Sequence, residues 1–531
     1  MKGIPHAKGT PPIQLVASRN VALLAICVAL VSFGLRIYDL DTQGLECDEF
    51  YTLPAATGHQ YVYLHDDSLS PRPVVPVTTD GYRLLLKPEA GVGLTAIPPV
   101  LRRNVHLPMY FFLMHYWLRV AGNSAWAVRF PSALFGALAA GAIFLLAEYL
   151  FSTFVALASA SFMALAPDQI YFSQQARMYS LLVLLAISST YVIALSKKHS
   201  DKRWPYAGYA VLSIAGLYTH YEYFFFFTAQ LAYIWIGSRL GRENKKSWAL
   251  THALVFAAFA PWLLITVAQK ETSPEIVAWV HGSLGGNLIL TEVVTKVTRL
   301  ISVPELPLGW ISVVAAFVLL VAGSLSLRTD RPRLFQLWTW IVFPVAGILL
   351  MDQMLGTRAI GITRYWLIIS PALYLLIGKG MEKIPNRPVR IGLLAIFIGF
   401  LFAGSLLTAR GQLRAKPDQH QALAQFVETR ITDPQQQLVL TDGLNALPLV
   451  LAYYGTRDMP VLRYKWIVDE LATRTFVDVT GGRREVWLLT SGPTQAAKLL
   501  EDNGYRLQEK PITFGHIAVA RYLRLSAPNR L

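Results

Sequence analysis

Long apolar runs closed by charged residues are the feature of this sequence that most constrains its fold. A helix rises about 1.5 Å per residue, so about 20 apolar residues in a row cross a bilayer. Only 15% of the 531 residues are charged, whereas soluble domains contain about 25%. The sequence therefore predicts an α-helical polytopic membrane protein. About eleven transmembrane helices are expected, near residues 20–40, 129–150, 153–170, 177–196, 205–221, 223–238, 247–268, 308–326, 334–354, 363–378 and 390–408.

Basic residues are concentrated in four of the segments between these runs. With a cytoplasmic N-terminus, all four segments lie in the cytoplasm, as the positive-inside rule requires. This distribution accounts for the net charge of +15. A nucleic-acid partner is not expected, because the basic residues share neither one face nor one domain. We expect a multi-pass protein of the cytoplasmic (inner) membrane. The four clusters are Lys197, Lys198, Lys202 and Arg203; Arg239, Arg242, Lys245 and Lys246; Arg328, Arg331 and Arg333; and Lys379, Lys383, Arg387 and Arg390.

The chain divides into two predicted parts after residue 409. Residues 1–409 contain every predicted span and a long first outer loop, 41–128, whose middle, 61–105, is rich in proline. The end of that loop, Leu107 to Val120, is apolar but short, which favours a helix lying at the membrane interface. Residues 410–531 alternate helix-like and strand-like segments, which predicts a small extracytoplasmic α/β domain. Because it has no glycine-rich phosphate loop, we expect this domain to be accessory to a site elsewhere.

Two adjacent carboxylates, Asp48 and Glu49, follow directly after the first apolar run. Charge at a membrane exit is costly unless it is well solvated or used. One interpretation is that the pair simply begins a short helix, because acidic residues stabilise a helix N-terminus. The other is catalytic, and the local pattern does not separate the two.

Two arginines begin apolar segments on the predicted outer side, against the positive-inside trend. Arg177 and Arg364 stand at these entries. Such an arginine often only extends its head group towards water. A guanidinium also pairs with two phosphate oxygens at once. The presence of two such arginines on one face favours a phosphate-binding site.

Histidines accompany these groups on the same predicted face. His106 follows Arg102 and Arg103, so this end of the first loop either binds an anionic head group or anchors the loop to the surface. His220 and Glu222 lie in an aromatic turn, which is typical of an interfacial belt. Together with the acidic pair they are compatible with a divalent metal ion, but their spacing does not require one. No cofactor is therefore predicted.

Four motifs in chain order resemble one family. They are Cys47 to Leu53; the run from His106 to Tyr110 with Arg129 to Leu134; Ser173 to Tyr179; and Arg364-Tyr365. They resemble the polytopic GT-C glycosyltransferases of the protein O-mannosyltransferase and lipid A aminoarabinose transferase type, over roughly residues 20–380. The resemblance implies a polyprenyl-phosphate-linked sugar donor and an inverting, usually metal-independent transfer outside the cytoplasmic membrane. It also places the catalytic aspartate of the family at Asp48.

The sequence departs from the family at three positions. Leu107 stands where the family often has a second proline, and Tyr51 and His106 stand where the aminoarabinose transferases have basic residues. The aminoarabinose donor and the lipid A acceptor are therefore not carried over. Residues after 410 lie outside the resemblance.

These observations predict a glycosyltransferase in which Asp48 acts as general base for an acceptor hydroxyl. Half-burial is expected to raise the pKa of its carboxyl towards that task, with Glu49 orienting it or tuning its charge. The acceptor hydroxyl belongs to a glycolipid, a polysaccharide or a protein, and membrane lipids surround the donor tail. A transporter, which would carry ionisable groups at mid-span, and a non-catalytic envelope-assembly subunit are the alternatives. The residues predicted to bind substrate are Arg177, Arg364, His106, Tyr51, His220 and Tyr179.

Overall fold

The computed structural model describes most of the chain. The described ranges are 19–59, 77–89, 91–101, 106–272, 286–409, 419–443, 446–471, 474–492 and 494–525. Much of the proline-rich stretch, together with Arg102 and Arg103, lies outside them.

Helices make up nearly all of the described chain before residue 410. They are α1 Arg19–Ile37, α2 Cys47–Thr57, α3 Thr79–Leu85, α4 Ile97–Leu101, α5 Met109–Ala121, α6 Ala125–Leu150, α7 Thr153–Leu165, α8 Pro167–Ser173, α9 Tyr179–Ser196, α10 Trp204–Leu217, α11 Glu222–Ala232, α12 Leu240–Glu243, α13 Lys245–Thr272, α14 Gly286–Ile301, α15 Gly309–Ser326, α16 Arg331–Leu355, α17 Ser370–Glu382 and α18 Arg387–Ala409. Short 3₁₀ segments cover Leu94–Ala96, Ala359–Gly361 and Thr363–Ile369, and a π-turn covers Tyr233–Gly237.

The predicted polytopic helical class is confirmed. Among the described helices, seven are long and apolar enough to cross a membrane: α1, α6, α9, α13, α15, α16 and α18. The bent pair α7–α8 is an eighth candidate. The spans expected near 205–221, 223–238 and 363–378 instead consist of shorter pieces, namely α10, α11 with the π-turn, and the 3₁₀ segment with α17. Apolar composition located these segments, but hydropathy does not show where the backbone breaks.

The break between α7 and α8 is held by a buried arginine. Ala166 is extended before Pro167, and the two helices meet at 54°. Arg36, at the end of α1, donates to the carbonyl oxygens of Met163 and Ala164 at 2.9 and 3.0 Å. These carbonyls, which would be orphaned at the end of α7, are thereby satisfied. The bend directs α8 into the turn that carries Arg177.

The helix predicted near the interface is present as α5, and it packs against protein on one face. Tyr110, Phe111 and Met114 are at most 1% exposed, whereas Val120 is 85% exposed. His115 forms a 2.7 Å hydrogen bond through Nδ1 with the carbonyl oxygen of Ala56. This bond fixes α5 against α2, the helix that carries the acidic pair.

The C-terminal part folds as a small α/β domain, as predicted. Its parallel centre is buried: Leu438, Leu440 and Val486 are fully inaccessible, which suits strands covered by helices on both faces. Its helices are α19 Gln419–Arg430, α20 Leu447–Tyr454, α21 Tyr464–Glu470, α22 Phe476–Thr480 and α23 Gln495–Asp502. The strands are β1 Val77–Thr78, β2 Gln437–Asp442, β3 Pro460–Arg463, β4 Glu485–Thr490, β5 Tyr505–Leu507, β6 Ile512–Phe514 and β7 Ile517–Arg524.

Within the described ranges these strands form one sheet in the order β1-β3-β2-β4-β7-β5, with β6 on β7. Strand β2 is parallel to β3 and β4, and the other pairings are antiparallel. The edge strand β1 comes from the first loop, where Val77 pairs with Val461. The sheet is therefore built from both parts of the chain.

Candidate active site

The acidic pair begins helix α2, and the sequence explains why. Glu46 is the N-cap residue, and it forms a capping box with Glu49, in which each side chain accepts from the backbone N–H of the other. Asp48 and Glu49 occupy the first turn, where the helix dipole favours negative charge. The helix-start interpretation is thus correct. The side chains of Asp48 and Glu49 nevertheless lie in different surroundings.

Asp48 forms an ion pair with an arginine distant in sequence. Nη1 of Arg364, in the 3₁₀ segment before α17, lies 2.8 Å from Oδ2 of Asp48. The two side chains are 21% and 35% exposed, so solvent reaches the carboxylate. Burial raises the pKa of Asp48, but the charges of Arg177 and Arg364 together outweigh it and hold the pKa below its usual value. The expected rise in the pKa of Asp48 is therefore wrong, because two cations lie near the group.

Arg177, in the turn between α8 and α9, contacts the backbone of the same residue. Its side chain donates through Nη1 to the carbonyl oxygen of Asp48 and to Oγ1 of Thr52, each at 3.2 Å. The residue is 3% exposed, and its Nε has no hydrogen-bond partner among the residues that the structure describes. A buried charged donor without a partner is costly, and an anion would satisfy it.

His106 takes part in this arrangement as a hydrogen-bond acceptor. Nη2 of Arg177 donates a short hydrogen bond to Nε2 of His106. Burial lowers the pKa of His106 far below its usual value, and the nearby charges of Arg177 and Arg364 lower it further. His106, which was predicted to bind substrate, therefore joins the cluster without adding positive charge. Its neutral ring instead orients the guanidinium of Arg177.

Aromatic rings lie beneath the two arginines. The guanidinium carbons of Arg177 and Arg364 lie 6.0 and 5.8 Å from the ring centre of Tyr179. Both distances suit a cation–π interaction, which helps to hold two like charges side by side. The ring of His220 lies 5.8 Å from that of Tyr179 and 5.4 Å from that of Tyr365. Tyr179 and His220 therefore join the predicted cluster, and Tyr365 completes it.

Glu49 lies apart from this cluster in a buried ion pair. Its carboxylate accepts from Nε and Nη2 of Arg129 at 2.8 and 2.7 Å. The backbone N–H groups of Ala176 and Glu46 complete the shell at 2.8 Å each. Because Ala176 precedes Arg177, this pair fixes α2 against the turn that carries Arg177. The geometry favours a positioning role for Glu49.

Tyr51 is placed less directly. It lies three residues after Asp48 on α2 and packs, half-buried, against the apolar core.

The side chains that the sequence made compatible with a metal ion do not form a metal site among the described residues. Within the described parts of the chain, no group of three or more His, Cys, Asp or Glu side chains is arranged to hold a metal ion. Glu49 is committed to Arg129, and Glu222 is buried behind His220, whose Nδ1 accepts its backbone N–H at 3.2 Å.

Several contributors were missed by sequence reasoning. Arg129 lies inside one of the matched motifs, so its position was visible but its partner was not. Besides Glu49 it binds the carbonyl oxygens of Leu40, Gln43 and Gly44, each at 2.9 Å. Thr52 lies inside the Cys47 to Leu53 motif but was not singled out, and Tyr171 lies outside the four motifs. The hydroxyl of Tyr171 donates to the carboxylate of Glu46 at 2.5 Å and so steadies the start of α2.

One family matches part of the sequence. Residues 105–265 match the family described as dolichyl-phosphate-mannose-protein mannosyltransferase. The matched range contains His106, Arg177 and His220, whereas Asp48 and Arg364 lie outside it. No curated protein matches the sequence.

Solved structures match nearly the whole chain. ArnT from Cupriavidus metallidurans in the apo state is 13% identical, with a TM-score of 0.61 over 95% of this chain and 98% of that chain. ArnT from the same organism bound to undecaprenyl phosphate is also 13% identical, with a TM-score of 0.58 and the same coverage. The chain therefore has the fold of ArnT, and its predicted resemblance to the polytopic GT-C glycosyltransferases of the protein O-mannosyltransferase and ArnT type is confirmed.

Proposed function

We propose that this chain is a membrane glycosyltransferase that moves a sugar from a polyprenyl-phosphate-linked donor to an acceptor hydroxyl, with inversion, on the outer face of the cytoplasmic membrane. One observation carries the proposal. The partly exposed carboxylate of Asp48 pairs with Arg364, and Arg177 donates to the backbone carbonyl oxygen of the same residue. The arrangement combines a proton acceptor with two cations suited to a phosphate.

The arginines supply the donor side of the reaction. When the bond between the sugar C1 and the phosphate oxygen breaks, the phosphate takes the bonding electrons. Fixed guanidinium groups stabilise that developing charge, and each such donor contributes about 10²–10³ in rate. The Nε of Arg177, which has no hydrogen-bond partner within the described ranges, supports this assignment. The structure of ArnT with undecaprenyl phosphate supports a lipid phosphate as the group bound, by analogy with a protein of the same fold.

Asp48 serves the acceptor side. As the acceptor oxygen attacks C1, its proton passes to the ionised carboxylate of Asp48. The two arginines hold the pKa of this carboxylate below its usual value. A bound phosphate would offset their charge, so the pKa of Asp48 would rise towards its ordinary value once the donor is present. The base would then gain strength only in the complex that reacts.

Inversion is expected because, among the described residues, Asp48 is the carboxylate that we assign to the reaction. A double displacement with retention needs a carboxylate nucleophile in addition to the acid–base group. The adjacent candidate, Glu49, has both oxygens bonded to Arg129 and to backbone N–H groups. The remaining mechanism is a single displacement, in which the acceptor hydroxyl of a glycolipid, a polysaccharide or a protein attacks the sugar. We expect it to proceed without a divalent metal, so EDTA should not reduce transfer by purified protein.

The substitution Asp48→Asn tests the proposal. Asn keeps the size and most of the hydrogen bonding of Asp but accepts no proton, so transfer should fall by at least about 10²-fold. The assay is transfer from a synthetic polyprenyl-phosphate sugar by purified protein, with donor binding measured in parallel. If Asp48 serves only the first turn of α2, Asn loses about 1 kcal/mol or less of interaction with the helix dipole and turnover should be unchanged.

A matched control is available at the start of α16. Asp330 pairs with Arg333 at 2.7 Å, with side chains 35% and 38% exposed, and it caps a helix. Asp330→Asn removes a comparable ion pair remote from the cluster, and it should transfer normally. Near-normal transfer by Asp48→Asn, or an equal loss in the control, would reject Asp48 as the base.

A further inference from the structure

The C-terminal domain contacts the chain immediately before Asp48. The backbone N–H of Leu45 donates to the hydroxyl oxygen of Tyr454 at 2.6 Å. The carbonyl oxygen of the same residue accepts from Nδ1 of His420 at 2.8 Å. Leu45 is fully buried and precedes the N-cap residue Glu46, so its peptide groups depend on these two partners from another domain.

The same domain encloses the residue that follows the acidic pair. The ring of Phe50 is fully buried and lies 6.1 Å from His420, 5.6 Å from Tyr453 and 6.1 Å from Tyr454, all edge-on. Asp48 lies between Leu45 and Phe50 in sequence. The domain therefore holds α2 on both sides of the carboxylate.

The end of α20, which carries Tyr453 and Tyr454, is itself bound to the first loop. Arg83, in α3, donates through Nε to the carbonyl oxygen of Ala452 at 3.0 Å and through Nη2 to that of Gly455 at 3.1 Å. These carbonyls flank Tyr453 and Tyr454 at the end of α20. Together with the edge strand β1, this contact interlocks the domain with the loop that contains α2.

We propose that the C-terminal domain positions the catalytic carboxylate, with Tyr454 and His420 as positioning residues that fix the start of α2. This inference rests on the proposed role of Asp48 as base. A peptide group left unsatisfied in a buried site is costly, so loss of a partner favours a shift of the segment. A misplacement of about 1 Å at a reacting group costs about 10²-fold in rate. The domain expected to be accessory is thus part of the catalytic unit.

Two adjacent tyrosines provide a matched test. Both rings contact Phe50, but the hydroxyl of Tyr453 donates to the carbonyl oxygen of Asn123 at 2.9 Å, whereas that of Tyr454 serves Leu45. Tyr454→Phe and Tyr453→Phe each remove one hydroxyl and keep the ring. Only Tyr454→Phe removes a hydrogen bond to the backbone of the segment that precedes Asp48.

Two measurements on the purified full-length variants distinguish positioning from a general loss of stability. For Tyr454→Phe, kcat should fall about tenfold or more with KM for the donor unchanged. Amide hydrogen exchange over residues 45–50 should also accelerate, because that segment loses its anchor. Tyr453→Phe should change kcat by less than about twofold and leave exchange over this segment unaltered.

Equal effects of the two variants would overturn the proposal, as would a change in only one of the two measurements for Tyr454→Phe. The exchange experiment needs no substrate. If the wild-type protein transfers nothing from a polyprenyl-phosphate sugar, the proposed function fails, while the exchange comparison still decides whether Tyr454 holds α2.

Discussion

The buried ion pair between Glu49 and Arg129 leads to a strong prediction about stability. Their side chains are 0% and 5% exposed, and four N–H groups converge on the two carboxylate oxygens of Glu49. In Glu49→Gln one oxygen becomes an NH₂ group, so two of the four donors face another donor. The charge of Arg129 also loses its counterion in a site without solvent.

The magnitude follows from these losses. Each buried donor left without an acceptor costs about 1–3 kcal/mol, and breaking a buried pair from one side costs about 3–5 kcal/mol. We expect Glu49→Gln to lower the free energy of unfolding by about 3–5 kcal/mol. Because the two residues share one interaction, the double variant with Arg129→Gln should be destabilised by less than the sum of the single variants.

Thermal unfolding in detergent, followed by tryptophan fluorescence, measures this effect. Glu485→Gln is the control, since Glu485 pairs with Arg521 at 2.8 Å but the pair is 13% and 34% exposed and should contribute about 1 kcal/mol or less. The reasoning is refuted if Glu49→Gln unfolds at the wild-type temperature or together with the control. Wild-type stability with lost transfer would instead assign Glu49 a direct catalytic role.

Further predictions concern the arginines, pH and topology. Arg364 lowers the pKa of Asp48, so Arg364→Gln should raise that pKa and move the acid limb of kcat/KM to higher pH; an unmoved limb would exclude Asp48 as its origin. Arg177→Ala should reduce transfer by about 10²–10³-fold and Arg177→Lys by less, because lysine keeps the charge but lacks the planar fork; equal turnover in both and in wild type would remove Arg177 from the site. Reporter fusions at Gln421 and Glu243 should give opposite signals, since the positive-inside rule places them on opposite sides of the membrane, and matching signals would contradict the topology.

Hydropathy and charge in the sequence were enough to establish the membrane class and the helical positions, because the energy of lipid burial is additive along the chain. The C-terminal domain was also readable, since the predicted alternation of helix-like and strand-like segments over 410–531 corresponds to α19–α23 and β2–β7. The sequence also indicated which polar groups lie at span ends, and so Asp48 and Arg364 were identified as candidates together.

The tertiary structure decided what each group contacts. Adjacent residues on one helix point in different directions, so Asp48 faces Arg364 while Glu49 faces Arg129, and no local pattern separates them. The direction of the pKa shifts also depended on charges brought from other helices, which outweighed burial at Asp48. The hydrogen bond between Leu45 and Tyr454 joins residues 409 positions apart. Contacts of that kind arise from packing between distant segments, and a single sequence carries no signal for them.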